Sequence, residues 1–420
     1  MRTTANSPYD LGNVRLPAVV LGGAVNALSV ARALWRRGIP VDVLADGRSD
    51  SIAVHSRACR RHVRPSGEED VAQEWMTWLE HESSPAVLLP CSDEGVEFIA
   101  QRRSALEAIG HRPVEADDDA LLAMLDKARS YQVAHRAGVP APHTAKVTSP
   151  AELDDVDFSY PCGIKPVHSH LFAREFHPGS KGFVVSSADH AKRVLGPILE
   201  AGHPMLLTEV VAGPDDQYRS YYTYIDEHGE PLLHFTKRKL RQYPTHFGLG
   251  SYHLTEWNLE VAELGLRFAR AAGLRGVVNV EFKRDARDGL LKLIECNPRF
   301  TAANEQVRAS GIDLAVIAYN RLAGLPLPPS ESFRDHLGLW LIFDDVRAVG
   351  DYRRGRELTI GGWLKTLLHR QAAPIFSWSD PAPSSVVWRA RARALARKAL
   401  KRSRPPQAAA AASDPFTTPG

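Results

Sequence analysis

The chain has 420 residues, 44% hydrophobic and 24% charged, which excludes wholesale disorder and, at roughly 100–200 residues per domain, predicts two to four domains. The formal net charge is +3, but residues 389–404 hold eight cations and no acid, and subtracting these leaves −5 for the rest, which excludes nucleic-acid binding by a broad basic face. Four scattered cysteines with no CxxC, residues 1–15 without an apolar stretch, and no apolar run of bilayer-spanning length predict a cytoplasmic chain with no disulfide scaffold, secretory signal or transmembrane helix.

Ala18-Val19-Val20-Leu21 is a short apolar run that predicts a buried parallel strand. Gly22-Gly23, a helical stretch from Ala27 to Trp35, and a second strand at Val41–Leu44 complete a βαβ start. Ala86–Pro90 is a third strand and 94–108 a helix, so residues 1–115 read as an α/β domain. Gly22-Gly23-Ala24-Val25-Asn26, with Asp46 after the second strand, lacks the full G-x-G-x-x-G fingerprint of a redox dinucleotide site.

A helix is predicted from Asp126 to Ala137, stopped by Gly138 with Pro140 and Pro142 beyond. Strands then recur at 161–166, 181–186, 205–211, 217–226, 230–237, 277–283 and 290–296, with helices at 188–201 and 257–272. Hairpin signals at His228-Gly229 and Asp288-Gly289 make this an α+β segment with largely antiparallel sheets. A helix at 313–324 leads to a boundary at Leu325–Pro329. Beyond it, Trp340–Phe343 is apolar, 357–369 is helical, 389–404 is a basic helix, and 405–420 is low-complexity and expected to be disordered.

The segment 277–299 carries the chemistry. Glu281 and Glu295 fall on adjacent antiparallel strands, and Asn297, two residues after Glu295, shares its face. Two carboxylates and an amide oxygen form a hard oxygen site of the kind Mg²⁺ prefers; a polar, solvated hairpin end is the alternative. Thr236-Lys237-Arg238-Lys239-Leu240-Arg241 concentrates four cations in an acidic body, which favours binding of phosphate or a substrate carboxylate over a solvated strand end. Lys239 and Arg241, two apart and so on one face, are the favoured pair. His168, His170 and His177 lack an acidic or cysteine partner at metal spacing, so they are read as lining a loop rather than holding zinc. Tyr218, Tyr221, Tyr222 and Tyr224 read as a half-buried strand.

The E…E-x-N-x-R pattern of Glu281, Glu295, Asn297 and Arg299 resembles the metal-binding end of an ATP-grasp domain, and further parts of that family's pattern stand upstream in order. Leu125-Asp126-Lys127 followed by Gly138-Val139-Pro140-Ala141-Pro142 resembles the first ATP-contacting lysine and its exit. Cys162-Gly163-Ile164-Lys165-Pro166 resembles the strand of the second lysine, and His177–Gly182 the loop over the phosphates. Leu207–Gly213 resembles the hinge between lobes, and Lys239-Leu240-Arg241-Gln242-Tyr243-Pro244 is similar to a run in the D-aspartate-ligase-like branch. Pro90–Glu94 is similar to the segment of the preceding domain that faces the active site.

The resemblance covers about 15–330. It implies a Rossmann-like pre-ATP-grasp domain (1–115), an ATP-grasp domain (116–330, lobes dividing near 208), an extension (331–404) and a tail (405–420). It further implies that Lys127, Lys165, Ser180 and Lys181 meet the phosphates of ATP. Glu209, Val210 and Val211 would meet the adenine, Asp216 the ribose, and Glu281, Glu295 and Asn297 a Mg²⁺ ion, with Mn²⁺ as the alternative. Arg299 would stabilise a tetrahedral oxyanion. The implied activity is an ATP-dependent carboxylate–amine ligase working through an acyl phosphate on two small molecules. Biotin-carboxylase-like use of bicarbonate and a catalytically weak nucleotide-binding module are the alternatives. A homodimer, and weak peripheral contact of the basic tail with an anionic surface, are compatible with the sequence.

Overall fold

Ala18–Leu21 (β1) is completely buried and pairs in parallel with Val41–Leu44 (β2) and Val87–Pro90 (β4) in a computed structural model that describes residues 15–47, 51–66, 70–169, 171–172, 183–329 and 332–402. Arg61–Val63 (β3) completes a four-stranded parallel sheet in the order β3-β2-β1-β4. Helices Val25–Trp35 (α1), Val71–Glu80 (α2) and Asp93–Ala108 (α3) belong to this unit. Strands buried on both faces are nearly all apolar, which made β1, β2 and β4 readable; β3 is charged and exposed and was not.

Asp118–Leu125 (α4) and Lys127–Arg136 (α5) follow, each capped by an aspartate: Asp117 accepts from the Ala120 amide at 2.9 Å and Asp126 from Arg129 at 3.0 Å. A small antiparallel sheet in the order β5-β8-β6-β7 is built from Thr144–Val147 (β5), Cys162–Pro166 (β6), Phe183–Val185 (β7) and Met205–Glu209 (β8). Between its strands lie Glu152–Asp155 (α6) and Ala188–Glu200 (α7). In α7, Ala191, Val194, Leu195, Ile198 and Leu199 are buried, a spacing that lays one stripe onto the sheet's apolar face.

The largest sheet holds Tyr218–Ile225 (β9), Phe235–Tyr243 (β10), Leu249–Thr255 (β11), Gly276–Arg284 (β12) and Leu291–Asn297 (β13). Its order is β13-β12-β9-β10-β11-β14-β15. Leu259–Ala271 (α8) covers one face, where Phe268 joins Tyr221, Val278, Val280 and Phe282 in a buried core. The basic cluster at 236–241, expected to follow a strand, lies inside β10. Leu249–Thr255, for which the sequence predicted no strand, is β11.

Asn304–Ser310 (α9) and Leu314–Ala323 (α10) return to the first sheet and share its core. Asn304 Nδ2 bonds Ser29 Oγ at 3.1 Å, and the Tyr319 hydroxyl donates to the Leu16 carbonyl at 2.6 Å. Past residue 330 the chain adds Leu337–Trp340 (β14), Ile342–Arg354 (α11), Ile360–Leu367 (α12), Arg370–Ala372 (β15) and Ala382–Arg402 (α13). β14 and β15 therefore continue the large sheet. Asp380, ahead of α13, is clasped by Arg32 Nε at 2.8 Å and by Ser56 and the Arg57 amide, all from the first domain. The tail at 405–420 lies outside the described residues. No described helix is long and apolar enough to cross a membrane.

Candidate active site

The pairing of five strands assembles one polar face. Across β12 and β13, Glu281 stands opposite Glu295 and Asn279 opposite Asn297. On the other side of β12, Ser220 of β9 neighbours Glu281, and Tyr218 neighbours Lys283. β10 then places Lys237 beside Ser220 and Lys239 beside Tyr218, and β11 places His253 beside Lys239. Because side chains alternate, all of these point to the face opposite α8.

The charges on this face are coupled. Lys239 Nζ lies 3.1 Å from Glu281 Oε1 and 3.9 Å above the Tyr218 ring. Lys237 is fully enclosed and its Nζ meets His253 Nδ1 at 2.8 Å. Burial pulls the Lys237 ammonium down to about 7, with Glu281 opposing and Lys239 reinforcing the shift. Burial, then the two lysine charges, holds His253 well below its ordinary value, so it stays a neutral acceptor. Lys283 Nζ donates to the Val211 carbonyl at 2.9 Å, and burial lowers its pKa.

Glu281, Glu295 and Asn297 are brought together as expected. Asn297 Nδ2 lies 3.2 Å from Asn279 Oδ1 and 3.4 Å from Glu295 Oε1. Two carboxylates held in register repel unless cations lie near them, and Lys239 neutralises only part of that charge. The donor set, two carboxylates and a carboxamide, fits a hard divalent cation. Among the described residues no three His, Cys, Asp or Glu side chains stand together at ligand spacing. The set therefore fits an ion shared with another oxygen donor such as a phosphate, not an all-protein cage.

Arg299 is held by the first domain. Its Nε meets Asp93 Oδ1 at 2.6 Å, and the Phe300 amide donates to the Pro90 carbonyl at 3.2 Å. Asp93 opens α3, where Ser92 accepts from the Gly95 amide as N-cap. Burial opposes the Arg299 charge, yet Asp93, Glu295 and Glu94 together raise its pKa. Pro90–Glu94 thus faces the polar sheet.

Lys165 on β6 reaches the Tyr131 hydroxyl at 3.3 Å, and that hydroxyl donates to the Ile294 carbonyl, one residue before Glu295. Lys127, the first residue of α5, bonds Ser169 Oγ. Ser180, Lys181, His170 and His177 lie outside the described residues. At the end of β8, Glu209 takes the His143 amide at 3.2 Å and Arg287 Nη2 at 2.6 Å, with Lys292 Nζ at 3.7 Å. Arg287 also donates to the Val210 carbonyl at 3.1 Å. Asp216 is bound by Arg238 Nη2 at 2.6 Å and by Gln217.

Arg241 departs from expectation. A bulge in β10 between Lys239 and Arg241 breaks their shared face. Arg241 is bidentate on Asp345 of α11, at 2.6 and 3.0 Å, with both partners buried; Lys239 instead neighbours Gln242 Oε1 at 3.4 Å. The sequence reading also missed Lys283, Asp285, Arg287, Lys292 and His253. Glu281-Phe282-Lys283 carried a signal for the first, since the two charges are two residues apart on a strand. His253 was hidden because no strand was predicted between 237 and 277.

No protein-family model matches the chain. D-aspartate ligase of Enterococcus faecium (strain Aus0004) is 25% identical over 243 residues, 56% of this chain and 58% of that one. The chain thus spans less than two thirds of that relative's length. The biotin carboxylase–β,γ-ATP complex of Campylobacter jejuni superposes with a TM-score of 0.59 at 15% identity, over 77% of this chain and 74% of that one. L-amino acid ligase of Bacillus licheniformis gives 0.55 at 15%, over 74% and 75%. The architecture is the two-lobed ATP-grasp fold behind a Rossmann-like domain. The chain is thus similar in fold to ATP-grasp enzymes and in sequence to a carboxylate–amine ligase of that kind.

Proposed function

We propose that this chain is an ATP-dependent ligase that joins a small carboxylate to an amine. The observation that carries the reading is the single face on which Glu281, Glu295 and Asn297 stand beside Lys239 and Lys237, with Arg299 held over it by Asp93. In this reading Lys127 and Lys165, with Ser180 and Lys181, hold the phosphates. Glu209, Val210 and Val211 receive the adenine, and Asp216, steadied by Arg238, the ribose. Mg²⁺ would be held by Glu281, Glu295 and Asn297, and when bound would neutralise charge on the phosphates.

Two anions must meet for reaction. The substrate carboxylate oxygen attacks the γ-phosphorus, the bond to the β-bridging oxygen breaks, and ADP leaves. Lys239 and Arg299 offset the repulsion and fix the carboxylate, so that positioning and charge stabilisation supply most of the acceleration. The amine then attacks the acyl phosphate. Arg299 steadies the oxyanion, phosphate leaves, and the amine gives up a proton. The N-terminal Rossmann-like unit (1–115) and the ATP-grasp unit (116–330) meet at this face, so both shape the substrate pocket. The cytoplasm, as the compartment of ATP supply, is its proposed location.

The test is ADP release by the purified protein with Mg²⁺ and pools of amino acids. Release that depends on an added amino acid supports the reading; release that responds only to bicarbonate moves the assignment to a biotin-carboxylase-like reaction.

A further inference from the structure

A buried chain of hydrogen bonds joins the C-terminal extension to the polar face. Tyr352, near the end of α11, is buried and turns its hydroxyl onto the buried Asp215 carboxylate. Burial, then that carboxylate, raises the Tyr352 pKa, so the hydroxyl keeps its proton and donates it. The same hydroxyl accepts the Gln242 backbone amide at 3.2 Å. Asp215 Oδ1 accepts from Gln242 Nε2 at 2.9 Å, and Oδ2 also accepts from the His246 amide at 2.8 Å. Gln242 Oε1 then meets Lys239 Nζ at 3.4 Å, and Lys239 reaches Glu281 at 3.1 Å.

The backbone is shaped for this contact. Lys239 and Gln242 are three residues apart, a spacing that sends side chains to opposite faces of a regular strand. The bulge after Lys239 cancels the alternation and brings the two together. Chemistry then sets the direction of the carboxamide. An ionised carboxylate only accepts, so Asp215 takes the NH₂ end of Gln242 and leaves the oxygen for the ammonium. Turned the other way, the NH₂ would face the lysine, donor against donor. The neighbouring Asp216 is held separately, by Arg238 and by Arg219 at its carbonyl. The chain from Tyr352 therefore leads to Lys239.

We propose that Tyr352 and Asp215 are positioning residues: they fix the Gln242 carboxamide with its oxygen toward Lys239, and so hold the ammonium where it meets the substrate carboxylate. This rests on the ligase reading of the polar face. It gives the extension after 330 a part in substrate binding, through α11.

The test measures KM for the carboxylate and for ATP, with an amino acid that supports ADP release as the carboxylate. Tyr352→Phe loses only the hydroxyl. Its KM for the carboxylate should rise ~10-fold or more, since a misplacement of about 1 Å is enough for such a loss, while its KM for ATP changes less than ~2-fold. Asp215→Asn should do the same, and the double variant should be no worse than the more affected single one, because both break one chain. Trp363→Phe removes an indole donor from Asp345 on α11 without touching Gln242; it should lower the thermal unfolding midpoint yet leave both KM values unchanged. Wild-type constants in Tyr352→Phe, equal rises in both KM values, additive effects in the double variant, or the same rise in Trp363→Phe overturns the proposal. If wild-type ADP release responds to bicarbonate and to no amino acid, the ligase reading fails, and the same comparison with bicarbonate still decides this one. A crystal structure of Tyr352→Phe needs no turnover: Lys239 Nζ should shift by ~1 Å or more, and Lys239 unmoved beside Gln242 and Glu281 overturns the proposal.

Discussion

Lys239 and Glu281 meet across the large sheet, Nζ to Oε1 at 3.1 Å, from strands β10 and β12 that are separated by β9. The contact brings the basic cluster and the carboxylate hairpin, far apart in sequence, into one site. It also sets the electrostatic problem that the predictions probe: a face with carboxylates at one side and enclosed lysines at the other.

Removing a carboxylate or amide donor should stop turnover without unfolding the chain. Glu295→Gln and Asn297→Ala are each expected to lower the rate at least ~10³-fold, since a lost metal ligand removes several kcal/mol of transition-state stabilisation. Steady-state rates together with circular dichroism check this. Wild-type turnover in either variant would remove that residue from the metal site.

Lys127→Ala and Lys165→Ala should each weaken nucleotide binding about 10-fold or more, the equivalent of one charge-assisted contact. Arg397→Ala, on the exposed part of α13, should not. Calorimetric titration with a non-hydrolysable ATP analogue makes the comparison. Unchanged affinity in both lysine variants contradicts their placement at the phosphates.

Arg241 should matter for stability more than for chemistry. Its partner Asp345 is wholly buried and also receives the indole N–H groups of Trp340 and Trp363 at 3.0 Å. Arg241→Ala leaves a buried carboxylate short of its cation. The expected loss is about 3 kcal/mol, the lower end for a broken buried pair because the two indole donors remain. Urea unfolding measures it. Full stability with lost activity would return Arg241 to the substrate.

Lys237 makes stability depend on pH in a defined direction. Its folded pKa, pulled to about 7 by burial, lies below that of the unfolded chain, so between those values the unfolded state binds the extra proton. Stability should therefore rise as pH increases from ~7 to ~10, by up to ~1.4 kcal/mol per unit from this group. Below the lower value both states are protonated and the slope from Lys237 vanishes. Lys237→Met should flatten the rise, measured by urea unfolding in EDTA. An unchanged slope would show that Lys237 is not the group responsible.

The sequence exposed what periodicity and local chemistry encode. β1, β2 and β4 are uniform apolar runs, α7 has a clean helical stripe, and Glu281, Glu295 and Asn297 share a face because a strand alternates. It concealed what depends on distant partners. β11 looks like a loop because Leu249, Gly250 and His253 have no strand pattern until β10 and β14 pair with it. The β10 bulge, which separates Arg241 from Lys239, leaves no local mark. Asp93 and Arg299 are 206 residues apart, and only the packing of the first domain on the large sheet joins them.

The acyl-phosphate step tests the central claim most directly. With an amino acid that supports ADP release, its carboxylate can be labelled with ¹⁸O and the released phosphate examined by mass spectrometry in bicarbonate-depleted buffer. Attack of that carboxylate on the γ-phosphorus should carry a single ¹⁸O atom into phosphate, in step with ADP formed. Unlabelled phosphate from a working enzyme would contradict the account.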